Sequence, residues 1–192
     1  MKPLSKNILL GKYSLLVLAT ILFILSFVFN KLYSNRSSVA KEVRVAEKYL
    51  QRQQKDFNEF LKDTALVNRL LANNESFKEF SDLTSKPYSI FLYSENANVL
   101  DGMKFWNGKL ISPSPDLLNA ADGEYFSHLS NGWYYTIKKT LSNDSLTGTV
   151  VSYAMIPVRS DFFIETDYLP KEFGFSKTAD KRVKISDKVT ED

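Results

Sequence analysis

Apolar and polar residues follow three different rhythms along this chain. From Tyr13 to Phe29, in YSLLVLATILFILSFVF, apolar residues fill nearly every position and none is charged. A bilayer core needs about 20 apolar residues, with ~17 as a lower limit. The run is therefore long enough for one transmembrane helix. Aliphatic side chains on every face fit a soluble core helix poorly. From Ser38 the rhythm changes. Val39, Val43, Ala46, Leu50, Gln53, Phe57, Phe60, Thr64, Val67 and Leu71 recur at alternating spacings of four and three, a period of about 3.5 residues. Only Gln53 and Thr64 in this stripe are polar, and the intervening Lys, Glu, Arg and Gln favour helix. The pattern predicts one amphipathic helix over 39–71, roughly 50 Å long at ~1.5 Å per residue. Asn73-Asn74 ends it. A short helix through Phe77, Phe80 and Leu83 should follow, stopped by Pro87.

Beyond Pro87 the pattern becomes that of strands. YSIFLYS (88–94) is β-branched and aromatic, with a turn region around Val99-Leu100 behind it. FWNGKLIS (105–112) holds Asn107-Gly108, a strong hairpin signal. One helical turn is expected at Asp116 to Ala120. EYFSHL (124–129), WYYTIKKTL (133–141) and TVVSYAMIPV (149–158) are joined by short turns and form an antiparallel meander. Pro157 is expected to end the last strand. Val183 to Ile185 could add a further short one. Together these elements give an α+β fold: one N-terminal transmembrane helix, a long amphipathic helix, then an antiparallel sheet of about five strands. By analogy of plan this is PAS/Cache-like. The expected division is a head at 1–12, a transmembrane helix at 13–30, a helical linker at 31–86, a sensor sheet domain at 87–175 and a polar tail at 176–192.

Charge and composition narrow the function. The net charge is +3, but Lys2, Lys6 and Lys12 precede the span without any acid, and the remainder is formally balanced. The basic surplus is thus the flank of a hydrophobic segment and not a nucleic-acid footprint. A cleaved signal peptide fits less well, because its apolar region runs about 7–15 residues and FNKLYSNRSS offers no small-x-small site. Lysines on both sides leave the positive-inside rule nearly balanced. The short head favours an inner-membrane anchor with residues 31–192 extracytoplasmic. Cysteine is absent and His128 is the sole histidine, which excludes disulfides and multi-histidine metal sites. No phosphate-binding glycine loop, no G-x-S-x-G elbow and no paired carboxylates are found, so no catalytic residue and no cofactor is assigned. His128 reads as a sheet or surface residue, and Lys138-Lys139 as a solvated strand end. Tyr125, Trp133, Tyr135 and Tyr153, with Arg159 just past the last strand, suit a pocket for a small anionic ligand. The plainer reading makes most of them core or cover of the sheet. Asp101 is a weaker candidate. Phe57 and Phe60 are bulky for a two-stranded seam. The distal half of the long helix should therefore pack on its own domain, leaving Val39 to Leu50 for a homodimer contact within 39–71.

The ordered pieces also resemble a known family. A basic N-terminus, one span, a charged helix, FWNGKLISP (105–113), MIPVRSDFF (155–163) and TDYLPKEF (166–173) are similar to the N-terminal sensor region of membrane-anchored bacterial two-component sensor histidine kinases. Such proteins often place Asn where Asp167 stands. The resemblance implies a signal-input domain, with Phe162, Tyr168, Leu169 and Phe173 anchoring the chain as it leaves the sheet. It also implies a parent kinase with a second span, a phospho-acceptor helix and an ATP-binding domain beyond this chain. The alternative is a standalone single-span tethered binding or assembly protein without signalling output.

Overall fold

The computed structural model describes residues 6–36, 39–94, 102–108, 111–142, 149–166, 168–177, 179, 183 and 185–186, with backbone alone at 6–12, 31–36 and 39. Asp101, the turn around Val99-Leu100 and Asp167 lie outside these residues. Contacts divide the chain into two compact units, Met1–Glu42 and Val43–Asp192. In the first, helix α1 spans Lys6–Arg36. Its Tyr13–Asn30 window has a mean hydropathy of 2.2 and no buried residue. By length and composition it can cross a membrane.

Helix α2 (Val39–Lys62) follows. The single helix expected to Leu71 is in fact two. Asp63 leaves helical geometry, and its Oδ1 accepts the Leu66 N–H at 2.9 Å, capping α3 (Thr64–Leu71). A short acidic side chain competes for backbone N–H groups and so starts a new helix. The expected inward face survives the break. Gln53, Phe57, Phe60 and Val67 of that face are buried, but past Val67 it is Leu70 that is buried, while the expected Leu71 is half-buried. Helix α4 (Phe77–Thr84) begins with a reciprocal capping box between Ser76 and Glu79.

Five strands follow: β1 (Ser89–Ser94), β2 (Met103–Trp106), β3 (Gly123–Leu129), β4 (Gly132–Leu141) and β5 (Val150–Ser160), with α5 (Pro115–Asn119) before β3. They form one antiparallel sheet in the order β2-β1-β5-β4-β3. One face carries Ile90, Leu92, Phe105, Ile137, Val150, Ala154 and Ile156, which pack with Phe57, Phe60, Leu61, Val67, Leu70 and Leu83 from the helices. The other face buries Phe91, Tyr134, Tyr153 and Met155 beneath Ile111 and Leu118. Central strand β5 is apolar toward both faces, as its long apolar run requires.

Four expectations are corrected. Asn107-Gly108 is no hairpin turn, since no strand follows β2 at Ile111 and Ser112. Asn107 is buried instead. Its Oδ1 accepts the Ile90 N–H, and its Nδ2 donates to the carbonyls of Leu83 (2.6 Å) and Tyr88 (3.4 Å). Pro157 does not end β5. Trp133 faces Arg159 while Tyr134 faces Pro157, so Val158 is one extra residue on β5. A bulge is where a strand accepts proline. Pairing with β1 has already stopped at Met155. The chain leaving β5 is anchored by Phe173, which is buried and bridges to Arg159. Tyr168 anchors nothing, being 93% exposed. Val183 and Ile185 are not in a strand.

Candidate functional site

Alternation on the strands decides where the five sequence candidates go. Trp133 and Tyr135 share the helix-facing side of β4 with Ile137. Tyr125 and Tyr153 belong to the opposite face, which holds Tyr134 and Met155. Arg159 sits at the end of β5. The structure therefore does not gather the five into one pocket.

On the helix-facing side, Trp133 stacks between ring neighbours, with His128 at 4.4 Å and Phe126 at 5.5 Å. The Tyr135 hydroxyl donates to Glu124, whose other carboxylate oxygen accepts from Gln54 of α2. Burial, then the Glu124 carboxylate, push the Tyr135 phenol up. The Trp133 and Tyr135 rings are thus committed to protein contacts.

On the opposite face a polar cluster grips the α5 segment. Lys138, far from being a solvated strand end, is buried. Its Nζ donates to the carbonyls of Leu118 (2.8 Å) and Ala120 (2.6 Å) and lies 5.5 Å from the centre of the Tyr153 ring. The Tyr153 hydroxyl donates to Leu118 O at 3.4 Å and the Tyr125 hydroxyl to Ala121 O at 2.7 Å. Three side chains thus hold residues 118–121 by their carbonyls. This answers the lack of intrahelical partners at the end of α5. Burial pushes the Tyr153 phenol up to about 12, with smaller contributions from Tyr93, Asp122 and Tyr125. It is a neutral donor at ordinary pH. Asp122 accepts the N–H and hydroxyl of Thr140 at 2.7 and 2.8 Å. No carboxylate forms an ion pair with Lys138 among the described residues. The buried hydroxyls of Thr136 and Ser127 also face this side and have no partner among the described residues. Sequence reasoning missed Lys138 and Thr136, although both share the Tyr134 side of β4 by alternation.

Arg159 stacks over Phe173 at 5.2 Å and donates to Val183 O at 3.3 Å. It lines a cavity of about 280 Å³ with Glu165, Lys171, Glu172 and Lys177. An open groove of about 590 Å³ runs between α2 and the end of β4, edged by Lys55, Lys62 and Lys139. Lys139 donates to Asn58 (2.8 Å) and Lys62 pairs with Glu59 (2.8 Å). Among the described residues no group of three or more His, Cys, Asp or Glu could hold a metal ion. Comparisons with protein-family models, curated proteins and solved structures find no match to this chain.

Proposed function

We propose that this chain is a membrane-tethered extracytoplasmic sensor module, the signal-input part of a two-component sensor histidine kinase. The observation that carries the reading is the order of elements. An apolar helix long enough to span a bilayer is followed, after residues 37–38 only, by an amphipathic helix that packs on a five-stranded antiparallel sheet. This order lets a change at the sheet reach the membrane through α2. In this proposal the sheet is PAS/Cache-like and residues 31–192 lie outside the inner membrane.

The small anionic ligand belongs, in this reading, on the face that carries Tyr125, Tyr153 and Lys138. Lys138 is a buried cation held by two carbonyl oxygens and the face of the Tyr153 ring, with no ion pair among the described residues, and an anion would supply a counter-charge. Trp133 and Tyr135 are not part of that site. Arg159 stays a candidate only for the separate cavity beside Phe173.

The test is to determine the reading frame beyond the codon for Asp192. A second apolar span followed by a phospho-acceptor helix of H-E-x-x-T-P type supports the sensor kinase. A stop codon directly after Asp192 overturns it and leaves a tethered binding or assembly protein.

A further inference from the structure

We infer that β3 is the docking edge for a second copy of this chain, which pairs with it strand to strand and continues the sheet. The contact lies wholly within Val43–Asp192 and asks nothing of α1. Strand β3 ends the sheet, with β4 on one side and no strand on the other among the described residues. Backbone N–H and C=O groups along such an edge are a template for another chain unless the sequence guards them. The two edges of this sheet differ in that respect. The β2 edge is guarded: it has four residues, carries exposed Lys104, and its pairing with β1 shifts between Leu92 and Tyr93. Strand β3 has seven residues, contains neither lysine nor proline, and pairs with β4 without a shift from Gly123 to Leu129. On its helix-facing side Glu124, Phe126 and His128 are all exposed.

The occupant follows from the order of residues on β3. Phe126 is the midpoint of the strand. Two copies of β3 laid antiparallel about a two-fold axis through Phe126 pair along their whole length, the same patch serving both subunits. In that register Glu124 faces His128 of the second copy at both ends, carboxylate acceptor opposite imidazole N–H donor, and the two Phe126 rings meet on the axis. Centred on Tyr125 instead, Glu124 would face Phe126. Centred on Ser127, Phe126 would face His128, and Glu124 would lie beyond the pairing. Both alternatives lose the acid–imidazole pairs and shorten the ladder, and register follows such side-chain matches. The side chains are already set beside the edge. Trp133 stacks on Phe126 at 5.5 Å and on His128 at 4.4 Å. Gln54 and the Tyr135 hydroxyl fix the Glu124 carboxylate, whose oxygens have lone pairs left for a further donor. Phe126, 45% exposed, supplies apolar area to bury. A strand of another protein would pair with the same backbone, but symmetry about Phe126 is what a second copy requires.

The native chain has no cysteine, so single cysteines in the full chain, in membranes, report the register by oxidative cross-linking. Directly opposite residues of antiparallel strands have Cα atoms about 4.5–5.5 Å apart, within the roughly 4.4–6.8 Å that a disulfide spans. Position 124 and its own copy would be offset by four residues, about 13 Å along the strand. Phe126→Cys should therefore cross-link to itself. Glu124→Cys mixed with His128→Cys should give the mixed dimer, while neither variant alone should cross-link. Phe77→Cys, at a residue 87% exposed on α4, measures the collisional rate, which the expected pairs should exceed at least tenfold. All of these positions are exposed, so the fold does not depend on them. Adding Phe126→Lys to the mixed pair sets two cations together on the axis and should return its rate to the collisional one. Cross-linking at the collisional rate throughout overturns the inference. Self-cross-linking at 124 or 128 as fast as at 126, or a cross-link at 126 without the mixed one, shows another register and also overturns it. An undiminished mixed cross-link in the presence of Phe126→Lys does the same.

Discussion

At the scale of single residues, the sequence misleads where a polar side chain has a buried task. Asn107 beside Gly108 carries the composition of a turn, yet its amide joins β1 to the end of α4 through three hydrogen bonds. Nothing local distinguishes a turn asparagine from one that satisfies a distant N–H. Asn107→Ala leaves the Ile90 N–H and the Leu83 carbonyl without this partner in a buried place. Each such group costs roughly 1–3 kcal/mol, so the variant should lose about 3 kcal/mol, read as a lower urea midpoint at unchanged slope. A loss below about 0.5 kcal/mol would show the amide to be dispensable. Lys138 is similar: its charge suggested solvent, and only the tertiary position of α5 makes it a buried donor. Glu79 gives a pH-dependent test. The backbone N–H of Ser76, the Arg69 guanidinium and the Ser76 hydroxyl hold its carboxyl at about 2, below the ordinary 4.5. A depressed carboxyl pKa stabilises the fold above the unfolded value and loses that contribution as pH falls from 4.5 toward about 2. Urea midpoints at pH 6 and pH 3 should therefore differ more in the native chain than in Glu79→Gln. Equal pH dependence in the two would refute the assignment.

At the scale of elements, periodicity was the reliable signal. Gln53, Phe57, Phe60 and Val67 of the stripe are buried as spaced, and α4, α5 and the β3-β4-β5 meander stand where turn residues and alternation put them. The failures were boundaries set by one residue. Asp63 reads as another solvent-facing position in a heptad but caps α3. Pro157 reads as a stop but sits at a bulge past the pairing with β1. The chain after β5 shows the same dependence on context. It turns back so that Ser160 N–H donates to Glu172 O and Gly174 N–H to Val158 O, at 2.8 and 2.9 Å. This close approach requires glycine, because a Cβ at 174 would stand 2.1 Å from a carbonyl oxygen. Gly174→Ala should unlatch residues 172–176 from β5 while the meander persists. Amide exchange at Ser160 and Gly174 should speed up at least tenfold, with that of Ile137 and Ala154 unchanged. Unaltered exchange at Ser160 would mean that the backbone absorbs the extra methyl group.

At the scale of the whole molecule, the α+β plan with one apolar N-terminal helix was legible because long runs average out local exceptions. The site was not. Aromatic residues on a strand say that they matter, but which face they join depends on register, and a core and a pocket use the same side chains. What the plan leaves exposed on α2 is more telling for assembly. Phe57 and Phe60 are spent on the sheet, while Val43, in the same stripe, is 47% exposed. The proposed dimer should therefore use the proximal half of α2 alone. Single cysteines at 43 and 46, in the full chain in membranes, should cross-link to a second copy much faster than cysteines at 44 and 47, following a period of about 3.5. Equal rates at all four positions, or none, would exclude this seam. One residue inserted between Ser37 and Ser38 lengthens the connection between α1 and α2 by one position. In a signalling protein that insertion changes output while the cross-linking pattern within α2 stays. In a passive tether it changes neither, so the pair of measurements separates the sensor from the assembly protein even when both are dimers.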